Sequence, residues 1–215
     1  MGESGDIAHF ADIDRSGDPE YFARLLARGE SCPGSAETRL AARQRLRLRA
    51  GHAVLDAGCG PGHEAVELAR LVGDSGRTVG VDLSQVMLAR ARTHADAEGL
   101  PVQFSIGDAH HLPFPDETFD ACRAGSLLIC VADPARALSE MVRVVKPGGR
   151  VVVLDSDNDT LFVDSPYPEV TRTVVHAMTD SESNGSIGRR LPALFRQQRL
   201  AEIESGPVSS ASTFR

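Results

Sequence analysis

Val54-Leu55-Asp56-Ala57-Gly58-Cys59-Gly60-Pro61-Gly62 is an apolar run that ends in an acid and passes into Gly-x-Gly-x-Gly. An apolar run stopped by a glycine turn reads as a buried strand that ends at a ligand. Glycine at Gly58, Gly60 and Gly62 keeps side chains out of the turn, so backbone can approach a bound molecule closely and amides can point at it. The spacing narrows the ligand. A dinucleotide fingerprint places its third glycine at position 63, and this chain has His63 there, which argues against a nicotinamide dehydrogenase. Residues 63–72 then place Ala65, Leu68, Ala69 and Val72 on one helical face, and the N-terminus of that helix points its dipole at the loop, where it favours a carboxylate.

Four further signals follow in order. Val79-Gly80-Val81-Asp82 is a second apolar strand ending in an acid, the position at which a doubly wound fold holds ribose hydroxyls, and Ser84 is placed to cap a helix carrying Met87 and Leu88. Val102-Gln103-Phe104 leads into Gly107-Asp108-Ala109 and then His110-His111-Leu112-Pro113-Phe114-Pro115-Asp116. Phe119-Asp120-Ala121-Cys122-Arg123-Ala124 reads as a fourth strand. A helix over about 134–145, with Ala135, Leu138, Met141 and Val145 on one stripe, is stopped by Lys146-Pro147-Gly148 before a fifth strand at 151–154. Strands alternating with helical stretches predict an α/β fold with a doubly wound, mostly parallel sheet covered on both faces.

Over residues 50–155 the chain resembles the class I S-adenosylmethionine-dependent methyltransferases, in the small-molecule branch around the ubiquinone and menaquinone biosynthesis enzymes. VLDAGCGPG resembles the family's first motif, GDAHHLPFPDETFD its adenine-binding segment, and residues 145–150 its turn into strand five. The resemblance implies a Rossmann-like methyltransferase fold, S-adenosylmethionine as cofactor, no metal, and methyl transfer to a small-molecule acceptor such as a quinone, a phenol or a secondary metabolite. It also implies site residues. Asp56 would orient the cofactor amine, directly or through water, and Gly58, Cys59 and Gly60 would contact the amino-acid end through backbone. Asp82 would hold the ribose, Leu83 and Met87 would pack against the adenosine, Asp108 would accept from the adenine amino group, and Ala109 would donate its amide to a ring nitrogen. Arg123 or Ala124 would line the methionine portion. No catalytic residue is forced, because the sulfonium methyl is already activated and its transfer needs chiefly alignment. His110 is the candidate general base, since imidazole titrates near neutrality, and the alternative is a loop residue that happens to be histidine, as for His111. Cys130 stands where the family often has a histidine.

Composition is consistent with this. The chain has 215 residues, 41% of them apolar, enough for one α/β core and too few for two ordinary domains. Helical stretches near 18–28 and 36–49 form an N-terminal cap over 1–49, with the core and its substrate-side helices, near 169–179 and 191–198, in 50–215. A net charge of −7 opposes a nucleic-acid partner, and Arg39, Arg43, Arg45, Arg47 and Arg49 read as a solvated helix face rather than a polyanion site. A nucleic-acid amino-methyltransferase would also need an Asn/Asp-Pro-Pro-Tyr/Phe segment where Ala124-Gly125-Ser126-Leu127 stands. No apolar run spans a membrane, the N-terminus shows no signal peptide, and four cysteines without CxxC spacing read as reduced thiols, so a cytoplasmic location is expected. Ile203 is expected to open a sixth strand. No segment matches the seventh strand that the family inserts antiparallel beside strand five, so the sheet is expected to lack its last strand, through a shortened chain or completion by a partner subunit in a homodimer. A cofactor-binding protein without catalysis is the alternative function. Phe10, Tyr21, Phe22, Leu161, Phe162 and Tyr167 form either an apolar lid or core.

Overall fold

The computed structural model describes residues 10–30, 34–198 and 200–206. Five strands, β1 (Ala53–Ala57), β2 (Arg77–Asp82), β3 (Val102–Ile106), β4 (Phe119–Gly125) and β5 (Val145–Leu154), form one sheet in the order β3-β2-β1-β4-β5, every pair parallel. The chain order reverses between β1 and β4. Crossovers leave to opposite sides there, which opens a crevice at the carboxyl ends of those two strands.

Side-chain alternation along the strands fills two cores. Leu55, Ala57, Val79, Val81, Cys122 and Ala124 face one side and pack with Phe119, Met141 and Val144. Val54 and Ala121 face the other side, against Leu68 and Val72 of α3 (His63–Val72) and Leu46 from the end of α2 (Ser35–Arg45). Burying a side chain such as Leu55 or Leu68 contributes about 1.5–3 kcal/mol each, so these strips hold the sheet and its helices in one register.

Local chemistry sets the helix ends. Ser84 caps α4 (Gln85–Ala97) by accepting from the Met87 amide at 3.1 Å. Asp133 caps α5 (Pro134–Arg143) by accepting from Arg136 N at 3.0 Å, with Pro134 at the first helical position, where no amide partner is lost. That helix ends before position 145, because Val145 already pairs with Phe119; a register irregularity follows before Ala121 meets Arg150, so β5 begins earlier than position 151.

Beyond β5 lie α6 (Pro168–Ser181) and α7 (Ile187–Gln197). Among the described residues 200–206 no strand opens at Ile203, where a sixth was expected. Glu204 instead pairs with Arg45, the last residue of α2, at 2.9 Å, and Ile203 is exposed. Among the described residues nothing pairs with the outer edge of β5. Phe22 belongs to a core with Ile13, Ala23 and Met87, while Leu161, Tyr167 and above all Phe162, 92% exposed, do not. The Phe10 side chain and Cys32 lie outside the described residues. Cys59, Cys122 and Cys130 are free thiols, and no described helix is long and apolar enough to cross a membrane.

Candidate functional site

The glycine turn is built from the strand ends around it. Gly58 N and Cys59 N both donate to Val81 O, at 2.8 and 3.0 Å, Gly60 N donates to Asp82 Oδ2 at 2.8 Å, and Gly62 N donates to Cys59 O at 3.0 Å. The amides expected to point at a ligand are thus spent on β2 and on the turn itself, so the turn offers space and carbonyls instead. A Cβ at Gly60 would meet only Leu26, at 3.7 Å. Cys59 is buried, its thiol pushed far above the ordinary range by burial and by the Asp56 and Asp82 carboxylates.

Asp82, at the tip of β2, accepts from Ser84 N through Oδ1 at 2.9 Å and from Gly60 N through Oδ2 at 2.8 Å. Burial raises its pKa, against the opposing pull of those two amides. A carboxylate has about four acceptor positions, so further lone pairs remain for hydroxyls. Leu83 stands half exposed at the lip and Met87 lies beneath it, fully buried. Sequence reasoning missed Asp14, in the short 3-10 helix Phe10–Arg15. Its carboxylate accepts from Gln85 N at 2.6 Å and from the Ser84 hydroxyl, which fastens the N-terminal segment over the start of α4. No local signal marks this contact, made across some seventy positions.

Asp108 and His110 form a strut. Asp108 Oδ1 accepts from the His110 amide at 2.8 Å and from His110 Nδ1 at 2.6 Å, while His110 Nε2 accepts from Asp133 N at 3.1 Å. Burial raises the Asp108 pKa, but the His110 amide and ring outweigh it and hold the carboxyl below its ordinary value. Both ring nitrogens of His110 are engaged, so no lone pair is left to take a proton from an acceptor, and the expected general base is a loop support. His110→Ala is expected to lower stability by about 1–2 kcal/mol and to leave the pH-rate profile without a lost imidazole limb; thermal melts and a pH series check both. Ala109 is buried against Leu128 and Leu138.

Arg123 and Asp56 meet as register partners on β4 and β1, with Nη1 donating to Asp56 Oδ1 at 2.8 Å. Asp56, expected to face the ligand, is wholly buried and does not line the cleft, whereas Arg123 does. Burial raises the Asp56 pKa and the guanidinium opposes that rise. Arg39 and Arg43, expected on a solvated face, reach buried Glu64 at 3.2 and 2.7 Å. Arg45 and Arg47 remain more than half exposed beside Glu204.

Asp155, at the end of β5, was also missed. It accepts from Leu128 N at 2.9 Å and Ile129 N at 3.3 Å, which pins the turn after β4 that holds Cys130. Burial pushes its carboxyl up to about 7 against the pull of those amides. A raised folded value favours folding while the group is protonated. That contribution is complete below the ordinary carboxylate range and is lost as pH rises through about 7. Stability is therefore expected to fall between about pH 5 and pH 8, and Asp155→Asn to flatten that slope, as read by urea melts at the two pH values. Cys130, half buried, has its thiol pushed up to about 12, chiefly by burial, and is a poor nucleophile.

The glycine turn, Asp82, Asp108, Arg123, Cys130 and Asp155 line one trough of ≈ 3590 Å³, several times the ~300–1,000 Å³ of an ordinary ligand pocket. It runs from the glycine turn past the free edge of β5. Residues 55–153 match the family model described as a methyltransferase domain. Over that stretch the chain carries a methyltransferase domain of the class I S-adenosylmethionine-dependent kind. Among curated relatives it is similar to a 37.1 kDa protein of transposon TN4556 from Streptomyces fradiae, 42% identical over 77% of this chain and 48% of that one. It is similar to methyltransferase GfsG of Streptomyces halstedii, 33% identical over 77% and 59%. The demethylmenaquinone methyltransferase of Lactobacillus johnsonii is 38% identical over 54% and 49%. The chain thus spans about half the length of the curated relatives it matches. Of solved structures, YcgJ of Bacillus subtilis superposes with a TM-score of 0.59 at 29% identity, over 74% of this chain and 65% of that one.

The cofactor of this methyltransferase domain is S-adenosylmethionine. The residues present fit it. The turn is bare of side chains at Gly60, Asp82 has acceptor capacity at the strand tip, and Asp108 Oδ2 is left over by the His110 strut. No group of three or more acidic, His or Cys side chains among the described residues could hold a metal.

Proposed function

We propose that this chain transfers a methyl group from S-adenosylmethionine to a small, largely apolar acceptor, a quinol, a phenol or a secondary metabolite. The observation that carries the reading is the crevice between β1 and β4, where the bare glycine turn, Asp82 and the Asp108 loop stand around one space. S-adenosylmethionine supplies a methyl already activated on sulfur, for in-line displacement by the acceptor. Asp82 would hold the ribose hydroxyls, Leu83 and Met87 would flank the adenosine, and Asp108 with Ala109 would meet the adenine edge. Gly58, Cys59 and Gly60 would border the amino-acid end through backbone. Leu161, Phe162, Val163 and Met178 line the trough while exposed, which supports an apolar acceptor. Holding the acceptor oxygen or carbon in line is worth about 7–11 kcal/mol, so positioning suffices without His110 as base. A cytoplasmic setting is part of the same reading, in keeping with three free thiols.

The test is incubation of the chain with S-adenosylmethionine and quinol, phenol and secondary-metabolite acceptors. S-adenosylhomocysteine formation together with a methylated product is the expected result. Tight cofactor binding with no turnover on any acceptor would favour the non-catalytic alternative.

A further inference from the structure

Two buried side chains of opposite charge lie side by side at the glycine turn, and both line the cleft: Arg123, 7% exposed, and Glu64, 6% exposed. Each is held from behind. Asp56 Oδ1 fixes the Arg123 guanidinium at 2.8 Å, and Arg43 and Arg39 fix Glu64 Oε1 at 2.7 and 3.2 Å. Asp56 and Arg43 do not line the cleft. Room for the guanidinium comes from Gly125, where a Cβ would lie 2.3 Å from Arg123 Nη2. Glu64 Oε2 is buried with no hydrogen-bond partner among the described residues and lies 3.9 Å from Arg123 Nε. A buried carboxylate oxygen without a partner is costly unless something completes it.

We propose that Arg123 and Glu64 form the subsite for the amino-acid end of the cofactor: the guanidinium takes the carboxylate, Glu64 Oε2 takes the ammonium, and Asp56 is a positioning residue behind Arg123. This rests on the reading of the cleft as the cofactor site. A ligand bearing both charges completes both groups at once. Asp56 therefore acts on the cofactor through Arg123 rather than by touching its amine.

Calorimetric titration of S-adenosylhomocysteine and of methylthioadenosine, which keeps the adenosine and lacks the amino-acid end, separates the possibilities. The chains compared are the wild type, Glu64→Gln, and the double variant Asp56→Asn/Arg123→Met, which leaves no buried charge without its counterion on β1 or β4. S-adenosylhomocysteine is expected to bind about thirtyfold more weakly to each variant, with methylthioadenosine unchanged. Decarboxylated S-adenosylmethionine, which has no carboxylate to lose, is expected to bind the double variant as well as the wild type. Unchanged S-adenosylhomocysteine binding in the variants overturns the proposal, and so does an equal loss for methylthioadenosine, which marks a structural role. If the double variant does not fold, Glu64→Gln decides by the same two ligands. A wild-type chain that binds neither ligand overturns the cofactor-site reading itself.

Discussion

Asp82→Ala is expected to weaken S-adenosylmethionine binding by about a hundredfold or more, because two hydrogen bonds to a charged acceptor are lost together. The same carboxylate holds the Gly60 and Ser84 amides, so the variant also frees the glycine turn from the tip of β2. Asp82→Asn separates the two effects. It keeps one acceptor oxygen for the Gly60 or the Ser84 amide and sets a donor against the other, so it is expected to lose less stability than Asp82→Ala and still to bind weakly. Calorimetric titration beside a thermal melt reads both quantities. Wild-type affinity in a folded Asp82→Ala chain would remove Asp82 from the ribose site.

Gly62→Ala is expected to cost the largest stability change of any single methyl addition near the site, about 3 kcal/mol or more, seen as a fall of roughly 10 °C in Tm. Gly62 caps α3 at φ +84°, a left-handed conformation that penalises a Cβ by about 1–2 kcal/mol. The added carbon would also lie 2.7 Å from the Ala91 Cβ and 2.9 Å from the Ala91 Cα, which is backbone of α4 and cannot swing aside. Helices α3 and α4 would have to part, and α4 carries Met87 beneath the cleft. Gly99→Ala isolates the conformational share, since Gly99 has φ +65° with nothing within 4 Å of its Cβ position. Equal melting points for the two variants would refute the packing share of this account.

The helix over 63–72, the Ser84 cap and the acids ending β1 and β2 were legible because each is written in neighbouring residues: a 3.6 period, a capping side chain three positions from its amide, an apolar run closed by glycine. The Asp133 cap was not read, although its Asp-Pro signature is equally local. The arginines of α2 show the limit. Their spacing fits a solvated face, and Arg45 and Arg47 do lie there, but Arg39 and Arg43 find a partner on α3, twenty and more positions away. A buried acid such as Glu64 reads as an ordinary first-turn residue until the helix that covers it is in place.

The sequence alone determined the α/β class, the succession of parallel strands, the glycine turn and the acids at the strand tips, since periodicity and turn chemistry act between residues close in the chain. Tertiary structure decided what those groups do. It spent the turn amides on Val81 and Asp82, set Arg123 between Asp56 and the cleft, engaged both nitrogens of His110, brought Asp14 onto α4 and buried Asp155. It also paired Glu204 with Arg45 at the end of α2, and among the described residues it left the outer edge of β5 unpaired. These contacts join positions far apart in sequence, and only packing, with the burial and charge pairing it imposes, selects among the partners that each side chain could have taken.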